Sequence, residues 1–147
     1  MLLVQRLILL LASTTTLTVA MTGCGSGHVT YPVLVKVSFP DGKTLEGAIV
    51  AFHSMSTESE AVSAIGKVGA DGTCELTTFT EGDGAVAGRH RVTVAPPPSE
   101  RSSAGYDRTK QNRPPIHPRF LNPNTSGLEV DVSADGQNEF TIQIERP

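Results

Sequence analysis

Residues 33–43 read VLVKVSFPDGK, and this stretch indicates the fold class of the chain. The odd positions from Val33 to Phe39 are all apolar, whereas the even positions include Lys36 and Ser38. Successive side chains of a β-strand point to opposite faces, so this alternation predicts a strand with one buried face. Pro40-Asp41-Gly42-Lys43 follows directly, and these residue types favour a tight turn. We expect the chain to reverse there.

The same alternation continues along the rest of the chain. Six further strands are predicted, at residues 47–53, 64–68, 73–77, 89–95, 128–132 and 140–144. Asp71-Gly72 lies between the segments 64–68 and 73–77, and Asp135-Gly136 lies between 128–132 and 140–144. Each pair of segments is therefore expected to form a hairpin. With no helix expected after residue 23, the pattern predicts a single all-β domain over residues 31–147. A seven-stranded, two-sheet sandwich of the Ig-like kind fits it.

The first 23 residues have a different character from the predicted domain. Residues 7–20 carry no charge, and Arg6 is the only basic side chain ahead of them. That profile is typical of a signal peptide. A transmembrane helix needs about 20 predominantly apolar residues, and threonines interrupt this run. A spanning segment is therefore the less favoured alternative.

Met21-Thr22-Gly23-Cys24 resembles a lipobox, in which small residues precede a cysteine that accepts diacylglycerol. Cleavage between Gly23 and Cys24 would leave Cys24 as the lipidated first residue, followed by a short tether to residue 30. Thioether-linked diacylglycerol plus an N-acyl chain such as palmitate is enough for stable anchoring. We expect an exported protein that is lipid-anchored to a membrane of the cell envelope, on its periplasmic or surface-facing side. The alternative is a plain secretory signal with an incidental cysteine.

Composition and spacing argue against several classes of function. A formal net charge of −3 disfavours nucleic-acid binding, which needs an excess of basic side chains. The four histidines lie far apart in the sequence, so neither a metal site nor a cofactor is expected. Glu81 and Asp83 offer oxygen atoms but lack the calcium-loop pattern. No hydrolase nucleophile motif occurs, and we expect a protein that is not an enzyme.

The second cysteine is expected to be a buried free thiol. Cys74 lies between Thr73 and Glu75 in an alternating segment, so its side chain should face the core. A disulfide with Cys24 is the less favoured alternative, because Cys24 is assigned to lipid.

Residues 96–118 break every periodicity and are rich in proline, which predicts an exposed loop. This region and the residue after it carry more basic than acidic side chains. The candidate interaction loop comprises Arg101, Tyr106, Arg108, Lys110, Arg113 and Arg119. Such a loop can dock on an anionic polysaccharide, a lipid surface or a partner protein. The alternative is a solvated loop with no ligand.

Several segments together resemble a known domain type. They are Gly23-Cys24, the 39–50 stretch that begins FPDGK, the GADGT turn at 69–73, the stretch from Glu81 to Val94, and the stretch from Pro118 to Leu128. In order and spacing they resemble small bacterial lipoproteins with a transthyretin-like (prealbumin-like), carboxypeptidase regulatory-like β-sandwich domain. The resemblance spans nearly the whole mature chain. It implies a fold and a location, and it brings no catalytic residues.

Two functional hypotheses follow from the sequence. The first is a membrane-anchored, non-catalytic β-sandwich that acts as a structural or interaction module toward an envelope protein or polysaccharide. The second is a carbohydrate- or small-ligand-binding lipoprotein, which would need a concave pocket with convergent polar groups.

Overall fold

The computed structural model describes residues 28–56, 62–98 and 115–147. Within these ranges the chain is all-β, and its only helical element is a 3₁₀ helix at Pro118–Leu121. The nine strands of the described ranges are β1 Thr30–Tyr31, β2 Val33–Ser38, β3 Ile49–Ser54, β4 Ser63–Lys67, β5 Thr73–Glu75, β6 Ala85–Val86, β7 Gly88–Ala95, β8 Glu129–Val132 and β9 Asn138–Gln143. Each of the seven predicted segments overlaps a strand. The short strands β1 and β6 are additional to the seven predicted ones, and Thr30 of the expected tether lies in β1.

The strands form two main sheets and one short ribbon. One sheet has the order β5-β2-β9, the other has the order β4-β3-β7-β8, and β1 pairs with β6. All pairings are antiparallel except that of β2 with β9, which is parallel from Val33–Asn138 to Ser38–Gln143. This architecture is consistent with a β-sandwich.

The hydrophobic core lies between the inner faces of the two main sheets. From β2 the buried side chains are Val33, Val35 and Val37, and β3 contributes Val50 and Phe52. They belong to one cluster of buried residues that draws on both sheets. The inward face predicted from alternation is therefore confirmed on these strands.

The predicted pairing of residues 64–68 with 73–77 is wrong except at one point. The turn itself forms, since the Gly69 amide donates to the Thr73 carbonyl at 2.8 Å. However, β4 pairs with β3 and β5 pairs with β2, and only a bridge between Ile65 and Thr77 joins the two segments. The chain crosses from one sheet to the other at this turn. Gly66 allows the close approach, because a Cβ there would lie 2.6 Å from the Glu75 carbonyl oxygen.

The predicted terminal hairpin is also wrong, because β8 pairs with β7 and β9 pairs with β2. The side chain of Asn138 takes over the hydrogen bonds of the connecting loop. Its Oδ1 accepts from the Ser133 amide at 2.8 Å, and its Nδ2 donates to the Ser133 carbonyl at 3.1 Å. The same Nδ2 lies 3.4 Å from the Pro32 carbonyl oxygen at the start of β2. Asn138 thus ties the loop to the β5-β2-β9 sheet.

The directions of the strands define two opposite ends of the domain. Ser54 pairs with His90 and Ile49 pairs with Ala95, while Thr30 pairs with Val86 just before β7. We call the end with β1, β6 and the 77–84 loop the proximal end. The opposite end, beyond Ala95, is the distal end. The eight residues of β7 at about 3.3 Å each separate the two ends by roughly 25 Å.

The expectation that residues 96–118 are all exposed fails at Ile116. Ile116 is fully buried, as is Phe120 in the following 3₁₀ helix, and both belong to the core cluster. The His117 amide donates to the Glu145 carbonyl at 2.8 Å, which fixes this segment against the end of the chain. The high proline content of this region suggested an exposed loop, but Ile116 and Phe120 close the distal end of the core.

Candidate functional site

Most of the site residues predicted from the sequence lie outside the described part of the chain. These are Gly23 and Cys24 at the expected cleavage and lipidation site, and Arg101, Tyr106, Arg108, Lys110 and Arg113 of the candidate interaction loop. Their assignments therefore stay predictions.

Arg119 is the one predicted loop residue that the structure describes. Its Nη2 lies 3.1 Å from Glu145 Oε2, and its guanidinium stands 4.6 Å from the centre of the Phe120 ring. The side chain remains half exposed. Arg119 thus covers the buried Phe120 and is already paired with a carboxylate, which makes it a poorer ligand-binding group than an unpaired arginine.

The proline-rich segment joins the domain at its distal end. Pro98 follows the last residues of β7, and Ile116 comes before the His117–Glu145 hydrogen bond. The chain enters the domain at His28 beside the 77–84 loop, at the proximal end. Pro98 and Pro115, the described residues on either side of this segment, therefore lie at the end of the domain opposite to His28, where the chain enters.

A cluster of polar side chains lies on the outer face of the four-stranded sheet. His53 on β3 has its Nδ1 at 3.2 Å from Ser63 Oγ and its Nε2 at 3.0 Å from Thr93 Oγ1. A hydroxyl next to an imidazole is the contact that a nucleophile and its base would make. Here both ring nitrogens are occupied by hydroxyl groups, so neither is left for an orienting carboxylate. The arrangement satisfies the polar groups of the buried Thr93 and of the half-buried His53 and Ser63.

The same face continues into a charged row across β7 and β8. Arg91 Nη1 donates to Asn124 Oδ1 at 2.6 Å, and its Nε lies 3.8 Å from Glu129 Oε1. Glu129 also pairs with Arg89. Both arginines thus have partners, but the single carboxylate of Glu129 faces two guanidinium groups, so these three side chains together keep a positive charge.

A groove of about 330 Å³ crosses the outer face of the three-stranded sheet at the proximal end. Its floor is Leu34, which pairs across the sheet with Glu75 on β5 and with Glu139 on β9. Gly82 and Gly136 bring in the two loops that bound it. Neighbouring strands lie about 4.8 Å apart, so a carboxylate stands on each side of an apolar floor.

No protein-family model, curated protein or solved structure matches this chain. The resemblance to transthyretin-like lipoprotein domains therefore stays a prediction from sequence motifs.

Asp83, considered above for calcium, is used inside its own loop. Its carboxylate accepts amide hydrogens from Thr78 at 2.7 Å and from Phe79 and Thr80 at 3.0 Å each. Desolvation raises the pKa of this carboxyl, but these amides outweigh it and hold the pKa below its ordinary value.

Among residues 28–56, 62–98 and 115–147, no group of three or more His, Cys, Asp or Glu side chains could hold a metal ion. The same ranges contain no helix that is long and apolar enough to cross a membrane.

Two titratable side chains are buried in the core. Cys74 is a free, buried thiol as predicted, and desolvation raises its pKa to about 11. His90 is buried beside Phe52, and desolvation lowers its pKa. Its Nδ1–H donates to the Gly88 carbonyl at 2.8 Å.

The sequence reading missed the His53 cluster and the groove around Leu34. Alternation does place His53 and Leu34 on outward faces. Their partners lie on strands that are distant in the sequence, so only the pairing of β3 with β4 and β7, and of β2 with β5 and β9, brings them together.

Proposed function

We propose that this protein is a membrane-anchored lipoprotein of the cell envelope whose non-catalytic β-sandwich acts as a structural or interaction module. The proposal includes a seven-stranded, transthyretin-like core, with β1 and β6 as an added ribbon. The lipobox-like sequence ending in Cys24 supports the anchor. No catalytic role is assigned to His53, because hydroxyl groups engage both of its ring nitrogens.

One observation supports the interaction role above the others. The proline-rich segment joins the domain at the end opposite to the chain entrance, roughly 25 Å away along β7. In an anchored domain the described ends of this segment, Pro98 and Pro115, would then lie on the side away from the membrane. We therefore favour an anionic envelope polysaccharide or an acidic protein as partner, rather than the lipid surface.

Lipid labelling tests the anchor. Cells that express the full chain are grown with an alkyne-tagged palmitate, and we expect Cys24→Ser to abolish labelling. Cys74→Ser is the matched control and should keep the label. Label that persists in Cys24→Ser would rule out lipidation at this cysteine.

Charge neutralisation tests the interaction role. Arg101, Arg108, Lys110 and Arg113 are replaced together by glutamine, and the protein is passed over an anionic polysaccharide column. We expect weaker retention, with the parent protein itself released by salt because ionic attraction is screened over about 8 Å at physiological ionic strength. Arg119→Gln is the control, since Arg119 is already paired with Glu145. Equal retention of the fourfold variant and the parent would move the interaction site off this loop.

The groove around Leu34 favours small-ligand binding as a second candidate function. Its volume is at the lower limit of small-molecule sites. No residue that lines it in the described part of the chain is aromatic, so a small cationic ligand fits it better than a sugar that stacks on a ring. Binding of a cationic amphiphile that is lost in Leu34→Arg but kept in the fourfold loop variant would favour this alternative.

A further inference from the structure

Two apolar side chains project into solvent at the proximal end of the domain. Val29 is 67% exposed and Phe79 is 48% exposed, although both are large enough to fill a core. The ring of His28 stacks on Phe79 with a centroid distance of 6.3 Å and an interplanar angle of 16°. We call Val29 and Phe79, with the ring of His28, the proximal patch.

The backbone under Phe79 is held in place, so its exposure is built into the loop. Asp83 accepts the amide hydrogens of residues 78–80, including that of Phe79 at 3.0 Å. A hydrogen bond from the Thr30 side chain to the same carboxylate links the loop to β1. Gly84 packs so closely on Tyr31 that any side chain there would collide with the Tyr31 carbonyl. Phe79 and the incoming chain thus form one rigid unit.

Chain length places this unit next to the expected anchor. Only four peptide units separate Cys24 from His28, and at about 3.6 Å per residue they span at most about 14 Å. A lipidated Cys24 would keep the proximal end within that distance of the bilayer surface. A tether of this length allows Phe79 to reach the interfacial region, where apolar surface is favourably removed from water.

We propose that Phe79 and Val29 insert into the membrane interface and dock the domain directly on the bilayer. This inference rests on the lipid anchor of the proposed function. The exposed charged side chain closest to Phe79 in the sequence is Glu81, which anionic headgroups would repel. The contact is therefore apolar, and it should resist salt. Docking also sets the orientation of the domain, with the distal end pointing outward.

The absence of tryptophan from the sequence allows a direct test. Phe79→Trp introduces a single tryptophan into the proximal patch. Leu121→Trp is the matched control, since Leu121 is 49% exposed in the 3₁₀ helix toward the distal end. Each full-length, lipid-processed variant is reconstituted in phosphatidylethanolamine and phosphatidylglycerol vesicles whose acyl chains are brominated. Flotation with the vesicles is recorded separately from fluorescence.

We expect both variants to float with the vesicles. The emission of Phe79→Trp should shift to the blue and lose intensity through bromine quenching, at low and at high salt alike. Leu121→Trp should show neither change. Val29→Trp serves as a second reporter and should behave like Phe79→Trp.

Flotation without quenching at either proximal position would overturn the docking while leaving the anchor intact. Equal quenching at Leu121 would also overturn it, because the domain would then lie on the bilayer in another orientation. Failure to float would overturn the lipid anchor together with the docking that rests on it.

Discussion

Truncation of Phe120 is expected to be among the most destabilising single changes in this domain. The sequence places Phe120 beside the polar, proline-rich segment, where an exposed loop residue would tolerate alanine. In the structure the side chain has no exposed surface and belongs to the core cluster. Phe→Ala changes at buried sites cost about 3–5 kcal/mol, from lost burial and from the cavity that remains. That is a large part of a typical total stability of about 5–15 kcal/mol.

Urea unfolding of a soluble version that starts at residue 25 measures this cost. With an m-value of about 2 kcal/mol per M, a loss of about 4 kcal/mol lowers the unfolding midpoint by roughly 2 M. Far-UV circular dichroism is the probe, and the m-value should stay constant. Leu121→Ala, at the half-exposed neighbouring position, should change stability by no more than about 0.5 kcal/mol. If Phe120→Ala unfolds at the same midpoint as Leu121→Ala, the core at the distal end is wrongly described.

Three further predictions concern buried polar groups. Cys74, whose pKa is raised to about 11 by burial, should react slowly with thiol reagents at neutral pH and quickly in urea; rapid labelling of the native domain would place it at the surface. Burial lowers the pKa of His90 in the folded state, so below about pH 6.5 the unfolded chain binds more protons than the folded one. The contribution of His90 to the free energy of unfolding is therefore full above that pH and declines on acidification below it. His90→Gln should flatten this decline in pH-dependent urea titrations, and an unchanged slope would exclude His90 as its source. Asn138→Ala removes the side-chain hydrogen bonds of the 133–138 loop and should lower the free energy of unfolding by roughly 2–3 kcal/mol. Gln137→Ala, at an exposed position, should change it by almost nothing, and equal urea midpoints for the two variants would show that the loop does not depend on Asn138.

The sequence alone was sufficient to identify seven of the nine strands in the described ranges, although not the short β1 and β6. Alternation between Val33 and Phe39 is a local property, because the side-chain direction of each residue follows from its place in an extended backbone. Cys74 was assigned to the core on the same ground, and it is buried. The turns at Asp41-Gly42 and Asp71-Gly72 were also readable, since their residue types favour turn conformations.

Only the tertiary structure decided which strands pair. An Asp-Gly turn is compatible both with a hairpin and with a crossing between two sheets, and the choice depends on contacts with residues far away in the sequence. At Asp135-Gly136 that choice is made by Asn138, which bonds to the loop carbonyls and lies close to Pro32 at the start of β2. Parallel pairing of β2 with β9 joins residues that are about a hundred positions apart, which no local pattern can encode.

The residues of the candidate sites also fall into two groups: those that the sequence reveals and those that only the fold brings together. The motif that predicts lipidation at Cys24 and the basic residues of the proline-rich segment can be found in the sequence, because each set of residues is contiguous in the chain. Burial of Ile116 and Phe120, the contact of His53 with Ser63 and Thr93, and the exposure of Phe79 beside the incoming chain all required the fold. The physical reason is that burial and side-chain proximity depend on how distant segments are packed together, whereas strand propensity and turn formation depend on neighbouring residues.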